Sequence, residues 1–316
     1  MIVLAADFGG TTIKLGVVSE GKLLAADRIP AQAERPMPER LEAIAIRWET
    51  MLAEVGLKCT ACAAAAFALP FLADPAKARV LGDFGKFPGA AQVDFAAWAQ
   101  ARLGLPVTLE NDLRVALLGE AAAGAAREHQ DVVMIALGTG IGCAVLSDGR
   151  LFRGVRNRAA ALMGHCSLNF DAPSGRCGNP GCAEDLASTA TLAELAQRRP
   201  NFSGSLLSRA AVVDYEAVFR CADEGDPCSR SLVEHSLRVW ATVVLTSVIA
   251  YDPAIVVLGG GVMRRHHAIL PAIRTHLAGH LPGLRTEIPV VASALGDDAA
   301  LLGCERLVTE HLFRTV

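Results

Sequence analysis

Apolar positions along the chain follow two rhythms. Short unbroken runs that stop at glycine alternate with longer stretches in which apolar residues recur every three or four positions. The first run, residues 1–6, stops at Asp7, a glycine turn follows, and a second run covers residues 13–18. Gly21 opens another turn, and residues 23–26 read as a third strand. Strands joined by tight glycine turns predict a β-hairpin opening a sheet. From residue 38 to 55, Leu41, Ile44, Ala45 and Trp48 share one helical face. Residues 59–69 read as a buried strand, 70–91 as a loop rich in Gly, Pro and Asp, 95–103 as a short helix, 106–109 as a strand and 113–126 as a helix.

The second half repeats the theme. Strands are expected at 132–137 and 143–147, the latter ending at the hairpin signal Asp148-Gly149. Helices follow at 186–198, 212–220 and 231–251, the last almost wholly apolar from Val239. A strand at 255–258, a helix at 266–277, a strand at 289–293 and a helix at 298–312 complete the chain. The strand, glycine turn, strand unit thus occurs at residues 2–18 and again at 132–147. This predicts two α/β lobes around a central cleft, with the boundary near residues 111–115. The first lobe is expected over 1–113, joined by the C-terminal helix 298–316, and the second over 114–297. No low-complexity linker separates them, so a shared interface or hinge is expected.

Composition removes several function classes. Hydrophobic residues make up 52% and charged residues 20%, enough to bury a large core. Lys and Arg total 30 against 33 Asp and Glu, a net charge of -3, which gives no electrostatic case for binding nucleic acid or an anionic membrane. No run reaches the roughly 18 uninterrupted apolar residues of a membrane helix; residues 59–73 come nearest, and Pro70 interrupts them. The chain opens without a basic region, and Asp7 follows the first apolar residues, so no signal peptide is expected and the cytoplasm is the expected compartment. Nine cysteines, an odd number, read as reduced thiols with metal binding open to a subset.

Three glycine turns carry the candidate chemistry. In Asp7-Phe8-Gly9-Gly10-Thr11-Thr12, two glycines let backbone N–H groups approach an anion, the threonines add hydroxyls, and Asp7 can hold a hydrated cation accompanying phosphate. Alone, this motif reads as an ordinary β-turn. Gly138-Thr139-Gly140-Ile141-Gly142 again sits between apolar strands, and Gly259-Gly260-Gly261 follows the strand at 255–258. A bound nucleotide explains the three together, two turns on phosphates and one on the nucleoside. None fits the P-loop or the dinucleotide fingerprint.

These turns, with Glu110-Asn111-Asp112, Gly164-His165, Cys177-Gly178-Asn179-Pro180-Gly181-Cys182-Ala183-Glu184 and the segment 295–304, resemble the ROK family of sugar kinases and regulators over nearly the whole chain. The resemblance implies an actin-like ATPase (ribonuclease H-like) α/β fold, a homodimer or larger oligomer, and ATP with Mg²⁺ as phosphoryl donor to a hexose or N-acetylhexosamine. It implies that Asp112 is the catalytic base; by residue type and place alone it reads as a helix N-cap, and the three glycine turns shift the reading to the base. Asn111, His165 and Glu184 are implied on the sugar, Glu184 reading otherwise as a first-turn helix charge.

His165, Cys177 and Cys182 form a candidate Zn²⁺ site by residue type and spacing. The family supplies a further cysteine where this chain has Gly175, and neighbouring Cys166 should point elsewhere. Zinc, zinc with another ligand, or a thiol-lined loop all remain open. The chain also departs from the family at Leu162, Lys86 and Phe71, so the nucleotide half reads as intact and the sugar half as altered. Lys86 reads as a solvated surface lysine, or as a partner for an acidic substrate. A non-catalytic sugar or nucleotide sensor is the competing reading. A DNA-binding regulator ranks lower, since the first strand begins at Ile2.

Overall fold

The structure, a computed structural model, describes residues 1–82, 85–280 and 288–312. It divides into two compact units. The first comprises residues 1–128, 153–158 and the described residues from Ala294 onward; the second comprises 129–152 and 159–293.

The first unit opens with β1 (Val3–Phe8), β2 (Thr12–Ser19) and β3 (Lys22–Pro30), then α1 (Met37–Glu54), β4 (Ala64–Leu69), a small hairpin of β5 (Ala73–Asp74) and β6 (Arg79–Val80), α2 (Phe95–Leu103), β7 (Val107–Asn111) and α3 (Asp112–Ala123). Its main sheet runs β3-β2-β1-β4-β7, antiparallel through β1, β2 and β3 and parallel from β1 through β4 to β7. Every residue of β1 and β4 is buried, as the continuous apolar runs require of strands covered on both faces. Trp48 of α1 stacks on Phe67 of β4, and its Nε1–H donates to the Ala5 carbonyl (3.3 Å).

The second unit repeats this plan. It holds β8 (Val132–Leu137), β9 (Ile141–Ser147), β10 (Arg150–Leu151), α4 (Ala183–Ala187), α5 (Leu192–Gln197), α6 (Tyr215–Asp223), α7 (Pro227–Tyr251), β11 (Ile255–Gly259), α8 (His266–His280) and β12 (Val290–Ala292). The sheet order is β10-β9-β8-β11-β12, with the same antiparallel and parallel pairings. The last helix, α9 (Ala299–Leu312), belongs to the first unit. Helix α7 is long and apolar enough to cross a membrane, but it packs between α6 and α8 as a core element, with Leu232, Trp240 and Val244 buried.

Two sequence expectations are corrected. The unit boundary falls after Glu128 rather than at 113/114, because α3 packs along α9 and stays with the first unit. The single helix expected at 186–198 is two, α4 and α5. Between them, the Thr189 and Ala190 N–H groups donate to the Gly138 and Thr139 carbonyls (2.9 and 3.3 Å), and donors engaged there cannot continue a helical ladder.

Candidate functional site

In the first unit, β1, β4 and β7 run parallel, so Asp7, the Gly9–Gly10 turn and Asn111-Asp112 all emerge at the same end of one sheet. Ligands gather at the carboxyl ends of strands in such sheets. Gly9 is fixed by geometry: its N–H donates to the Thr12 carbonyl (3.0 Å), and a Cβ there would stand 2.7 Å from that oxygen. That N–H is therefore engaged within the turn, whereas Gly10 and Thr11 are exposed at its tip. Asp7, 9% exposed, pairs across the hairpin with Lys14, whose Nζ donates to Asp7 Oδ2 (3.2 Å) and to the Asp297 carbonyl (2.9 Å). Burial raises the Asp7 pKa above the usual carboxylate value, against the pull of the Lys14 ammonium.

Asp112 begins α3, half-buried. The capping role falls to Asn111, whose Oδ1 accepts from the Arg114 N–H (3.4 Å) and whose Nδ2 donates to Asp112 Oδ1 (2.9 Å). The Leu113 N–H donates to the same Asp112 oxygen (2.7 Å). Burial, reinforced by the negative charge of Asp7, pushes the Asp112 carboxyl up to about 7; the Leu113 N–H, the Lys86 ammonium and the Asn111 amide work in the opposite direction. A carboxylate that titrates near neutrality is suited to take a proton at physiological pH.

Beneath this pair lies Glu110, fully buried. Its Oε1 accepts from Arg114 Nη1 (3.2 Å) and from the Asn111 N–H (2.8 Å), and its Oε2 accepts from Arg153 Nε (2.6 Å). Two guanidinium groups thus neutralise a carboxylate that burial would otherwise penalise, and they pin the end of β7 from which Asn111 and Asp112 project.

The second unit brings its own two glycine turns to one sheet end, because β8 and β11 are parallel neighbours. Thr139 is exposed at the first turn, and Gly138 uses its N–H on the Gly140 carbonyl (3.0 Å). Gly142 lies in β9, opposite Ala136. Gly259 ends β11, and Gly260, at φ +90°, lies so close to the Leu137 backbone that no Cβ fits. Gly261 opens the turn leading into α8. Glu184, in the first turn of α4, accepts the Ile141 N–H at Oε2 (2.9 Å), and only a glycine at 140 leaves room for its carboxylate. Glu184 therefore braces the Gly138–Gly142 turn.

His165, Cys177 and Cys182 come together, their ligand atoms within 4.8 Å of one another. His165 Nδ1 is buried without a hydrogen-bond partner, an orphan that a metal ion would satisfy. Two thiols and an imidazole suit Zn²⁺, so the residues present fit that ion. Cys166 is exposed and directs its Sγ at Met163 Sδ (3.6 Å), away from the cluster.

Several participants were not expected from sequence. Lys14 follows from the hairpin register, which sets it opposite Asp7. Arg153 lies in a segment that no pattern links to Glu110. Lys86 is exposed, yet it is no bystander on the surface: its Nζ stands 3.7 Å from where a Cβ on Gly10 would be, and its charge is felt at Asp112. Phe71, read as filling space, does so, packing edge-on against Phe87 in the core, and Leu162 is exposed.

The ROK family model matches residues 3–311. The chain belongs to the ROK family. Among ROK relatives, a glucokinase from Thermotoga maritima is 29% identical over 98% of each chain. A xylose repressor from Bacillus spizizenii is 27% identical over 71% of this chain and 56% of its own. The crystal structure of a ROK hexokinase from Thermus thermophilus superimposes with a TM-score of 0.81 at 30% identity, covering 97% of both chains. That of a ROK glucokinase from Streptomyces griseus, in complex with glucose and AMPPNP, gives 0.76 at 28%, covering 97% of this chain and 99% of that one. The family and the mixed α/β fold read from the sequence are both met.

Proposed function

We propose that this ROK protein phosphorylates a hydroxyl of a sugar, of the hexose or N-acetylhexosamine class, with ATP as donor. Asp112 is the base. The sugar oxygen bonds to the γ-phosphorus, the bond from that phosphorus to the ADP oxygen breaks, and the hydroxyl proton passes to the Asp112 carboxylate. The single observation carrying this reading is the setting of Asp112: recessed at a helix start, one oxygen held by Asn111 and Leu113, its pKa lifted to about 7 beside Asp7.

Exposed Gly10, Thr11 and Thr139 would supply donors for phosphate oxygens, with Gly9, Thr12, Gly138, Gly140 and Gly142 shaping the turns that present them, while Gly259, Gly260 and Gly261 would receive the nucleoside. Mg²⁺, held by Asp7, would neutralise charge on the triphosphate. Asn111, His165 and Glu184 would bind sugar hydroxyls, Asn111 held by Asp112 and Glu184 by the Ile141 N–H. Zn²⁺ at His165, Cys177 and Cys182 would fix the loop carrying His165 and Glu184. The proposal includes a homodimer, which sedimentation tests directly, and a cytoplasmic location, which cell fractionation tests.

The experiment is ADP release over a panel of hexoses and N-acetylhexosamines, comparing the native chain with Asp112→Asn. Turnover with at least one sugar and its loss in the variant are expected. Undiminished turnover in Asp112→Asn removes that residue from the base role. Likeness to a xylose repressor favours a second reading, a sensor that binds sugar or nucleotide without turnover; binding by calorimetry with no ADP release across the panel would select it.

A further inference from the structure

Zinc closes a structural site with four protein ligands, and the segment from His165 to Cys182 offers three, His165, Cys177 and Cys182. Gly175 stands where the resemblance to the ROK family implies a further thiol, and it has no side chain to give. The space is not empty. A Cβ built on Gly175 would coincide with the carboxylate of Asp185, so an acidic group occupies the volume a cysteine would have used.

Asp185 reaches that volume for a local reason. Cys182 is the N-cap of α4, and Asp185 lies three residues on, in the first turn. Residues spaced this way across a helix start face each other. The Asp185 N–H donates to Cys182 Sγ (3.5 Å), and the Arg176 N–H donates to Asp185 Oδ2 (3.2 Å). The carboxylate therefore lies beside Cys182 and the loop residue that lacks a thiol, at the edge of the cluster formed by His165, Cys177 and Cys182. Around it, the Gly175 N–H donates to the Asn179 carbonyl and the Gly178 N–H to the Gly175 carbonyl (both 3.0 Å), which holds the loop in a tight knuckle.

We propose that Asp185 is the fourth ligand of a structural Zn²⁺ held by His165, Cys177 and Cys182, a helix carboxylate replacing a loop thiolate. The inference rests on the zinc reading above. Zinc accepts carboxylate oxygen at about 2.0–2.2 Å as well as thiolate at about 2.3 Å. The exchange also conserves charge: two thiolates, one carboxylate and a neutral imidazole carry the same charge as three thiolates and an imidazole. A water in the fourth position would not. To ligate the ion, the carboxylate would leave the Arg176 N–H, an exposed hydrogen bond, and turn toward the cluster.

The test is a titration of the stripped, full-length protein with Zn²⁺ against a competing chelator, with Co²⁺ as a spectroscopic stand-in. The native chain is expected to bind one equivalent and to give tetrahedral Co²⁺ bands with thiolate charge transfer. Asp185→Ala is expected to lose affinity by at least about tenfold, and the double variant Gly175→Cys with Asp185→Ala to recover it. Charge-transfer intensity should rise by about half in the double variant, as three thiolates replace two. Gly175→Cys alone should not improve binding, because its side chain meets the carboxylate. Undiminished affinity and an unchanged Co²⁺ spectrum in Asp185→Ala overturn the assignment while leaving zinc in place. A native chain that binds no Zn²⁺ stoichiometrically overturns the zinc reading itself.

Discussion

At the scale of single residues, Asp112 carries the most testable physics. Its folded pKa lies near 7, above the unfolded value of 3.8, because burial and Asp7 disfavour the charged form. The base must be ionised to act, so kcat/KM is expected to rise with pH along a limb centred near 7, and Asp112→Asn should lower kcat by about 10²–10⁴-fold. The stability consequence has the opposite sign. A group with a raised folded pKa contributes stability below its unfolded pKa and loses that contribution as pH climbs through the folded one. Between about pH 4 and 7 the native chain should lose stability that Asp112→Asn retains, so the variant's Tm should exceed the native Tm at pH 8. Lys86 gives an independent check, since its ammonium lowers the Asp112 pKa. Lys86→Gln should move the acid limb of kcat/KM to higher pH, and a limb that stays in place would dissociate Lys86 from the base. Sequence singled out Lys86 as a surface lysine or a partner for an acidic substrate, not as a neighbour of the base: a lysine in a loop rich in glycine and proline gives no sign of where its ammonium points. The place of Asp112 was legible, because Asn111-Asp112 after a buried strand marks a strand end and a helix start; its proposed role as base came from the resemblance to the ROK family.

At the scale of elements, the strands and glycine turns were readable because their apolar runs and their breaks are local. The boundary of the first unit was not, since it depends on helices far apart in sequence. Helices α3 and α9 approach so closely that a Cβ on Gly119 would run into the Ala299 carbonyl, and one on Gly303 into the Val115 carbonyl. A glycine inside a helix usually weakens it; here the backbone contact requires it. Gly119→Ala and Gly303→Ala are each expected to destabilise the first unit by about 1–3 kcal/mol or more, the range for overpacking, despite alanine's better helix propensity. Thermal unfolding of either variant at or above the native Tm would contradict the close crossing. The break between α4 and α5 was hidden for the same reason as the boundary. Its cause is two hydrogen bonds to a turn some fifty residues earlier, and periodicity cannot record them.

At the scale of the whole molecule, one strand order is used twice, each time with its own buried core: Phe8, Trp48 and Phe67 in the first unit, and Tyr215, Trp240 and Val256 in the second. Each sheet carries glycine turns at the carboxyl ends of its parallel strands, so each unit has a place suited to anionic groups. Whether one nucleotide engages both is a question about energy that can be measured amide by amide. A ligand that binds only the native state stabilises whatever it holds by RT ln(1 + [L]/Kd), about 2.7 kcal/mol at a hundredfold excess over Kd. If ATP with Mg²⁺ uses the turn at Gly9–Gly10 and the turns at Gly138–Gly142 and Gly259–Gly261, hydrogen exchange should slow in both cores, in the amides of β1 and β4 and equally in those of β8 and β11. A sugar alone, without nucleotide, should protect them less evenly. Protection confined to one sheet would mean that the nucleotide belongs to that unit alone, and the second set of glycine turns would then need a different explanation from phosphate and nucleoside binding.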